Sequence, residues 1–363
     1  MHVACQPEAA YKIPLHRSRL RPRDLPSPLS DSPGNYLHRA AINAALAGAT
    51  LPSGRGISFI DVPGHIRFLK NMLAGVGGVA ADLVIGEINT QTPYTHGDTF
   101  AHISEFDLLV EATEPPLYFP RWPVDDVYGR VAANVASVIE DGSCLAFSIG
   151  PLYESLAKQL QKKRNLGIHS PLFTDPLMDL MQSGAVTNRR KDTYRGKSLT
   201  SYALGTPDLM HWLDNNPLVE FQRIDKVFNP LIIGRNPKFV NVVSARKVDL
   251  YGRIGLYTGK GTVASGPAEV MDFISGAELS DGGRSIFALT SRDPKGLPNI
   301  LPSIADLPNQ FSAFESVGAI VTEYGVAFLK GRTIRERAQA LIDIAHPDFR
   351  EDLERQAREL NYI

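Results

Sequence analysis

Residues 144–173, "CLAFSIGPLYESLAKQLQKKRNLGIHSPLF", decide the fold that we expect for this chain of 363 residues. Leu145, Phe147 and Ile149 alternate with other residues as in a strand, "YESLAKQLQKKR" has the pattern of a helix, and "LGIHSPLF" is typical of another strand. A strand, a helix and a strand in succession form a βαβ unit, in which the two strands run parallel in one sheet. The stretch therefore predicts an α/β fold.

The sequence on both sides continues this alternation of helices and strands. Before the stretch, four apolar residues share one helical face: Val131, Val135, Val138 and Ile139. Near the end, Thr333 and Glu336 have the spacing of a capping box. The buried stripe of the helix that they begin is expected to be Ile334, Ala338, Leu341 and Ile342. A last helix is expected from Pro347, with an inward face of Phe349, Leu353, Ala357 and Leu360.

Two proline clusters divide the chain. Residues 1–35 contain six prolines and little hydrophobic periodicity, so we expect a disordered arm there. A second cluster, "PPLYFPRWP" at residues 115–123, interrupts helix and strand patterns alike and is the best candidate for a domain boundary. We therefore expect a first domain over residues 36–120 and a second over residues 124–363.

Composition excludes several classes of partner. The 38 basic and 39 acidic residues give a formal charge of −1, so there is no electrostatic footprint for nucleic acid or an anionic membrane. Cys5 and Cys144 are too few for a disulfide framework, and no apolar run approaches the roughly 20 residues of a membrane span. We expect a soluble, cytoplasmic protein. His96 and His102 lack the spacing of a metal site, so no metal is expected.

One short segment, "FIDVPGHIRFLKNMLAGVGG" at residues 59–78, resembles the motif of translational GTPases that lies near magnesium, most closely that of the selenocysteine-specific elongation factor. A GTPase also needs a phosphate-binding loop and a side chain that recognises guanine. The nearest phosphate-loop match, "GLYTGKG" at residues 255–261, is one residue short, and "RKVD" at residues 246–249 lacks the leading asparagine of the guanine motif. We therefore expect an orphaned segment at a sequence junction and no GTP hydrolysis.

From about residue 81 to the end, the chain resembles the acetyl-CoA hydrolase/transferase family, which includes acetate and 4-hydroxybutyrate CoA-transferases. The motifs that carry the resemblance include "NLGIHSPLF", "SGAVTNRRK", "VDLYGRIG", "DFISGAELSDGGRSIFAL" and "VTEYGVAFLKGRTIRERAQALIDIAHPDFR". The resemblance implies two open α/β domains of the NagB/RpiA-like kind, the first of them shortened here, with acyl-CoA bound between them. It also implies that coenzyme A enters as a substrate thioester.

The resemblance assigns roles to several positions. Gly325 in "TEYGVA" matches the glycine whose backbone amide stabilises the thioester oxyanion. Asn89 and Gln91 lie in a stretch that resembles the substrate-facing loop of the family. Four glycines in turns or motifs are expected to approach coenzyme A, because glycine-rich turns let backbone amides reach phosphates. They are Gly150, Gly266, Gly276 and Gly283.

The chain departs from the family at the expected nucleophile. The resemblance places a glutamate just before "VDLYG", and Lys247 stands there instead. A lysine amine would form a stable amide and a protonated lysine is no nucleophile, so transfer through residue 247 is not expected. Three explanations stay open. Another carboxylate replaces it, namely Glu269, Asp249 or Glu323; or Lys247 binds an anionic group while water attacks; or the chain binds acyl-CoA without transferring it.

The sequence thus predicts an acyl-CoA hydrolase or an acyl-CoA:carboxylate CoA-transferase for short-chain thioesters. The alternative is a catalytically impaired member that binds CoA or a partner. Pro267 removes an amide donor and Glu269 adds negative charge where phosphates are expected, so CoA binding should differ in detail from that of the family. A shortened first domain would expose apolar sheet surface, so a homo-oligomer is expected.

Overall fold

The computed structural model describes residues 45–50, 56–61, 85–100, 102–256, 268–306, 310–311 and 314–363. The predicted arm, most of the GTPase-like segment and Gly266 lie outside these ranges. None of the helices in the described ranges is long and apolar enough to cross a lipid bilayer.

The described residues alternate between helices and short strands. The helices are α1 (Asp126–Ser137), α2 (Pro151–Leu160), α3 (Asp175–Gln182), α4 (Pro207–Leu213), α5 (Ile224–Val227), α6 (Pro230–Gly234), α7 (Ala268–Leu279), α8 (Ile334–Asp343) and α9 (Pro347–Glu359). The strands are β1 (Ala45–Thr50), β2 (Gly56–Asp61), β3 (Ile85–Asn89), β4 (His96–Gly97), β5 (Leu108–Ala112), β6 (Cys144–Ala146), β7 (Gly167–Ile168), β8 (Leu172–Phe173), β9 (Ser198–Thr200), β10 (Tyr202–Ala203), β11 (Val219–Phe221), β12 (Phe239–Ser244), β13 (Lys247–Asp249), β14 (Ile254–Gly255), β15 (Arg284–Ala288), β16 (Ile300–Leu301), β17 (Gln310–Phe311), β18 (Ala319–Thr322) and β19 (Gly325–Phe328).

Six strands form the central sheet, in the order β19-β18-β15-β12-β6-β7. All neighbours from β18 to β7 are parallel, and β19 returns antiparallel to β18. The βαβ pattern read from residues 144–173 is present as β6, α2 and β7, and the predicted α/β class is confirmed. Smaller sheets pair β16-β13-β14-β17, β4-β11-β9, β3-β5, β10-β8 and β1-β2.

Alternate residues of the central strands face opposite sides of the sheet. Val242 of β12 and Ile286 of β15 belong to one buried cluster, which also contains apolar residues of α1, α2 and α3. Phe287 of β15 and Ile320 of β18 belong to a second cluster, with residues of α8, α9 and the sheet that contains β13. Strands that are apolar on both faces are typical of a parallel sheet covered on each side.

Three details of the predicted elements are wrong. The first strand ends at Ala146, and Ile149 is 38% exposed because the chain turns at Gly150, whose φ is 128°, to begin α2. The capping box of Thr333 and Glu336 is present, but Ile334 is 40% exposed because it lies in the first turn, before the stripe meets the core. Leu360 is 41% exposed because α9 ends at Glu359.

Gly276 has a packing role that the sequence did not reveal. It lies in α7, where a Cβ atom would be 2.4 Å from the Cγ2 atom of Ile233 in α6. Two helices that approach this closely need a residue without a side chain at the contact. The packing of α6 on α7 is therefore sufficient reason for this glycine, and its predicted contact with coenzyme A stays a prediction.

We expect Gly276→Ala to lower the free energy of unfolding by about 1–3 kcal/mol, because overpacking displaces the two helices. Gly129→Ala in α1 is the matched control, since a Cβ there would have no atom within 4 Å. That variant should gain about 0.5–1 kcal/mol from the better helix propensity of alanine. Urea unfolding followed by circular dichroism measures both, and an unchanged midpoint for Gly276→Ala would contradict the proposed packing role.

Candidate active site

The parallel strands of the central sheet all end at one edge, which we call the carboxyl edge. The segments that follow β6, β7, β12, β15 and β18 meet there. In open α/β sheets, ligands bind outside the carboxyl ends of the strands. The carboxyl edge is therefore where a site should lie, and it contains three of the predicted positions, namely Gly150, Lys247 and Gly325.

The turn between β18 and β19 places Gly325 at this edge. Gly325 is the first residue of β19, lies opposite Thr322 and has a φ of 152°, which favours glycine. The Thr322 hydroxyl donates to the Ile344 carbonyl at 2.6 Å and accepts from the Tyr324 amide at 3.1 Å. Asn134 of α1 donates to the Thr322 carbonyl at 2.8 Å. The backbone that carries Gly325 is thus held from three directions, and its role toward an oxyanion stays a prediction.

Glu323 lies in the same turn and is half-buried. One oxygen of its carboxylate accepts from the Ser291 amide at 2.8 Å, and the other accepts from the Ser291 hydroxyl at 2.6 Å. Ser291 belongs to the loop that follows β15. These two hydrogen bonds fix the direction of the carboxylate and connect the turn to residues 289–299, which we call the β15–β16 loop.

Lys247 holds the other end of the β15–β16 loop. Its Nζ atom donates to the Pro298 carbonyl and to Oδ1 of Asn299, both at 2.8 Å. Asp293 of the same loop lies 3.9 Å away. Burial lowers the pKa of Lys247, and the neighbouring Asp293 acts in the opposite direction. The structure therefore gives this amine two acceptors within the protein, and it brings Lys247 and Glu323 together through one loop.

The structure separates the carboxylates that were considered as replacements for the missing glutamate. Asp249 is fully buried, and its oxygens accept from the backbone amides of Tyr251, Arg253 and Ile304 and from Nε of Arg253, at 2.7–3.1 Å. A carboxylate with four donors is a structural group. Glu269 lies in the first turn of α7, and its side chain is outside the described part of the chain. Among the candidate carboxylates whose side chains the structure describes, Glu323 is the one that remains.

Gly150 lies at the carboxyl edge, between β6 and α2, and is the N-cap of that helix. The positive φ of Gly150 accounts for the glycine. The first helical residue, Pro151, has no amide hydrogen, and the contact of this turn with coenzyme A stays a prediction. Behind the turn, the Tyr153 hydroxyl donates to the Val242 carbonyl at 3.0 Å and accepts from the Ser244 amide at 3.1 Å. Burial raises the pKa of Tyr153, so this group stays protonated and ties α2 to the end of β12.

Gly283 is not at this edge. It follows α7 and directly precedes β15, so it lies at the amino end of that strand, and its predicted contact with coenzyme A stays a prediction. A Cβ at Gly283 would be 2.2 Å from the Ala277 carbonyl oxygen, so close packing accounts for the glycine.

Asn89 and Gln91 are engaged within their own two-stranded sheet. Asn89 donates to the Glu114 carbonyl at 2.9 Å and accepts from the Gln91 amide at 2.9 Å. Gln91 donates to the Thr113 carbonyl at 2.5 Å. These bonds join the end of β3 to the end of β5, and contact with a substrate stays a prediction.

Sequence reasoning missed two buried polar groups behind β7. Lys191, the last residue of "SGAVTNRRK", is 3% exposed and donates to the Ile168 and Lys197 carbonyls, both at 2.7 Å. Burial lowers its pKa to about 8. His169 is fully buried, contacts the Val227 carbonyl at 2.8 Å and has a pKa lowered by burial to about 3, so it is neutral. The available signal for Lys191 was its place in the motif "SGAVTNRRK".

A short segment has its own similarity. Over 34 residues, 9% of this chain, it is 62% identical to the selenocysteine-specific elongation factor of Escherichia coli, of which it covers 6%. This match agrees with the resemblance noted for residues 59–78. The matched segment is short compared with the separate motifs that a nucleotide-binding site requires.

Comparison with known proteins identifies the rest of the chain. The family model described as "Acetyl-CoA hydrolase/transferase C-terminal domain" matches residues 205–357. The chain is 40% identical over 299 residues to the 4-hydroxybutyrate coenzyme A transferase of Clostridium kluyveri, a match that covers 82% of this chain and 70% of that protein. It is 38% identical to the succinyl-CoA:cyclohexane-1-carboxylate CoA transferase of Geobacter metallireducens, covering 78% of this chain and 65% of that one.

Solved structures give the same result. The crystal structure of RipA from Yersinia pestis superposes with a TM-score of 0.73 at 31% identity, and the match covers 81% of this chain and 65% of RipA. The chain thus spans about two thirds of the length of the proteins that it matches. By sequence and by fold, it belongs to the acetyl-CoA hydrolase/transferase family.

Proposed function

We propose that this chain acts on the thioester of a short-chain acyl-CoA, either passing CoA to a carboxylate or hydrolysing the thioester. The observation that carries the proposal is the Glu323–Gly325 turn, which sets a directed carboxylate and a glycine backbone side by side at the carboxyl edge. CoA-transferase relatives, whose names describe carboxylates as acceptors, support the same reaction class.

In the proposed transfer, a Glu323 oxygen attacks the thioester carbonyl, the C–S bond breaks, and CoA leaves as a thiolate. The product is a mixed anhydride on Glu323. The thiolate then attacks the glutamyl carbonyl and releases the first acid, which leaves a glutamyl-CoA thioester. A second carboxylate attacks that thioester, and CoA returns to the new acyl group. The Gly325 amide would stabilise each oxyanion, a contribution worth about 3 kcal/mol per donor. In hydrolysis, water replaces the second carboxylate.

A second candidate function rests on Lys247. Because its amine is committed to Pro298 and Asn299, the position expected for the nucleophile holds a structural cation. On that basis the chain would bind acyl-CoA or a partner without turnover. Both proposals include three further expectations. These are two domains, over residues 36–120 and 124–363, a cytoplasmic location and a homo-oligomer. Gly150 and Gly266 are the glycines that we propose for contact with CoA.

We expect the purified chain to exchange CoA between acetyl-CoA or butyryl-CoA and an added carboxylate, because Glu323 supplies a carboxylate at the site. New acyl-CoA is followed by chromatography, and free thiol is followed in parallel. Thiol release without an acceptor identifies a hydrolase. If neither product forms while CoA still raises the melting temperature, the binding-only function is correct.

Replacement of Glu323 by glutamine should lower kcat/KM at least 100-fold, because the amide cannot form the anhydride. Glutamine can accept from the Ser291 amide through its oxygen and donate to the Ser291 hydroxyl through its nitrogen, so the melting temperature should change little. Glu351→Gln is the control, since that residue is exposed on α9. Mass spectrometry of a borohydride-treated reaction should find the adduct on residue 323, and full activity of Glu323→Gln would exclude it as the nucleophile.

Lys247→Met distinguishes anchoring of the loop from substrate binding. We expect a lower melting temperature and faster amide exchange in residues 289–299, because two hydrogen bonds to the β15–β16 loop are lost. The KM for acyl-CoA should stay within threefold of wild type. A KM raised more than tenfold with an unchanged melting temperature would instead show that the amine binds the substrate.

A further inference from the structure

Two arginines lie beside the turn that carries Gly325. Tyr324, the neighbour of Gly325, is 41% exposed. The guanidinium carbon of Arg350 lies 5.6 Å from the centre of the Tyr324 ring, and the His346 ring contacts the same ring edge-on at 5.4 Å. Arg350 comes from α9, so the C-terminal helix supplies a cation next to the candidate active site.

Arg292 extends the same cluster from the β15–β16 loop. It directly follows Ser291, which holds the Glu323 carboxylate. Its guanidinium lies 4.8 Å from the centre of the Phe349 ring and pairs with Asp348. The Nε atom of Arg292 is buried and has no hydrogen-bond partner among the described residues. A buried donor without a partner is costly and marks a position where an acceptor from outside would be stabilising.

The charges of this cluster are not balanced at Arg350. Its Nε atom donates to the Ala345 carbonyl at 2.9 Å, and its two terminal nitrogens have no ion pair within the described ranges. Arg355, on the same helix, pairs with both Asp352 and Glu359. Asp348 pairs with Arg292, and Glu323 accepts from Ser291, so both of these carboxylates are already engaged. The planar fork of Arg350 is suited to a carboxylate from outside.

The position of Arg350 decides which part of a substrate would meet it. The pantetheine arm separates the thioester from the phosphates of CoA, so a cation beside Gly325 is at the acyl end. It would also hinder catalysis if it bound the carboxylate that must react, because charge pairing weakens a nucleophile. The group that suits Arg350 is therefore a second, unreactive carboxylate on the same substrate.

We propose that Arg350, with Arg292 behind it, binds the distal carboxylate of a short dicarboxylic substrate while the other end reacts beside Gly325. This inference rests on the proposed function and specifies its substrate class. A dicarboxylate such as succinate should be preferred over butyrate, which has the same number of carbons and one charge fewer.

Equilibrium binding tests the proposal without turnover. By calorimetry, wild type should bind succinate at least tenfold more tightly than butyrate. Arg350→Met should abolish the difference by weakening succinate alone, and Arg350→Lys should restore part of it, because the charge returns without the fork. Arg355→Met should behave as wild type. Melting temperatures of all variants establish that they are folded.

The remaining outcomes overturn the inference. If wild type binds both acids equally, or if Arg350→Met retains the preference for succinate over butyrate, Arg350 does not bind a distal carboxylate. If Arg350→Met instead weakens CoA without altering succinate binding, its ligand is a phosphate of CoA. Failure of the proposed function gives a different pattern, in which succinate binding depends on Arg350 but no thioester is consumed. If turnover is equal for both acids and Arg350→Met does not change it, the proposed function is retained and this inference is rejected.

Discussion

Both faces of the central sheet are covered. A polar side chain that points from a strand into either face is removed from water, which costs free energy unless it finds a hydrogen-bond partner there. Val242 and Ile286 face one apolar cluster, and Phe287 and Ile320 face the other. A ligand-binding site is therefore expected at the ends of the strands. Because these strands are parallel, groups that are far apart in the chain reach the same edge, and the turn that carries Gly325 is one of several that meet there.

The β15–β16 loop converts this crowded edge into a defined arrangement. Lys247 binds one end of the loop through Pro298 and Asn299, and Glu323 binds the other end through Ser291. Asn299 also donates to the Thr290 carbonyl at 2.8 Å, which closes the loop on itself. A carboxylate that is held by two donors has little freedom, and catalysis depends on such orientation. The lysine in place of an expected glutamate is thus accounted for by the shape of the loop.

Local signals in the sequence were reliable where the physics is local. The capping box at Thr333 involves residues three apart, and the βαβ pattern around α2 depends on short-range periodicity. Ile334 was placed in the core because periodicity carries no information about where a helix meets its neighbours. The partners of Lys247 lie 51 and 52 residues away, so no pattern near "RKVD" announces them. Packing is a sufficient reason for Gly276 and Gly283, and the sequence could not show it because a glycine required by packing and a glycine required by a phosphate look the same.

The GTPase-like segment is a further case in which a local sequence pattern does not reveal a binding site. A nucleotide pocket needs a phosphate loop, a magnesium ligand and a guanine reader brought together from separate strands. The similarity to the elongation factor extends over 34 residues, which is 6% of that protein. The proposed thioester site is built in the opposite way, since Ser291, Glu323 and Arg350 come from three elements and no single motif contains them. The proposed function therefore depends on distant segments that meet at the carboxyl edge, and a similarity confined to one segment does not assemble such a site.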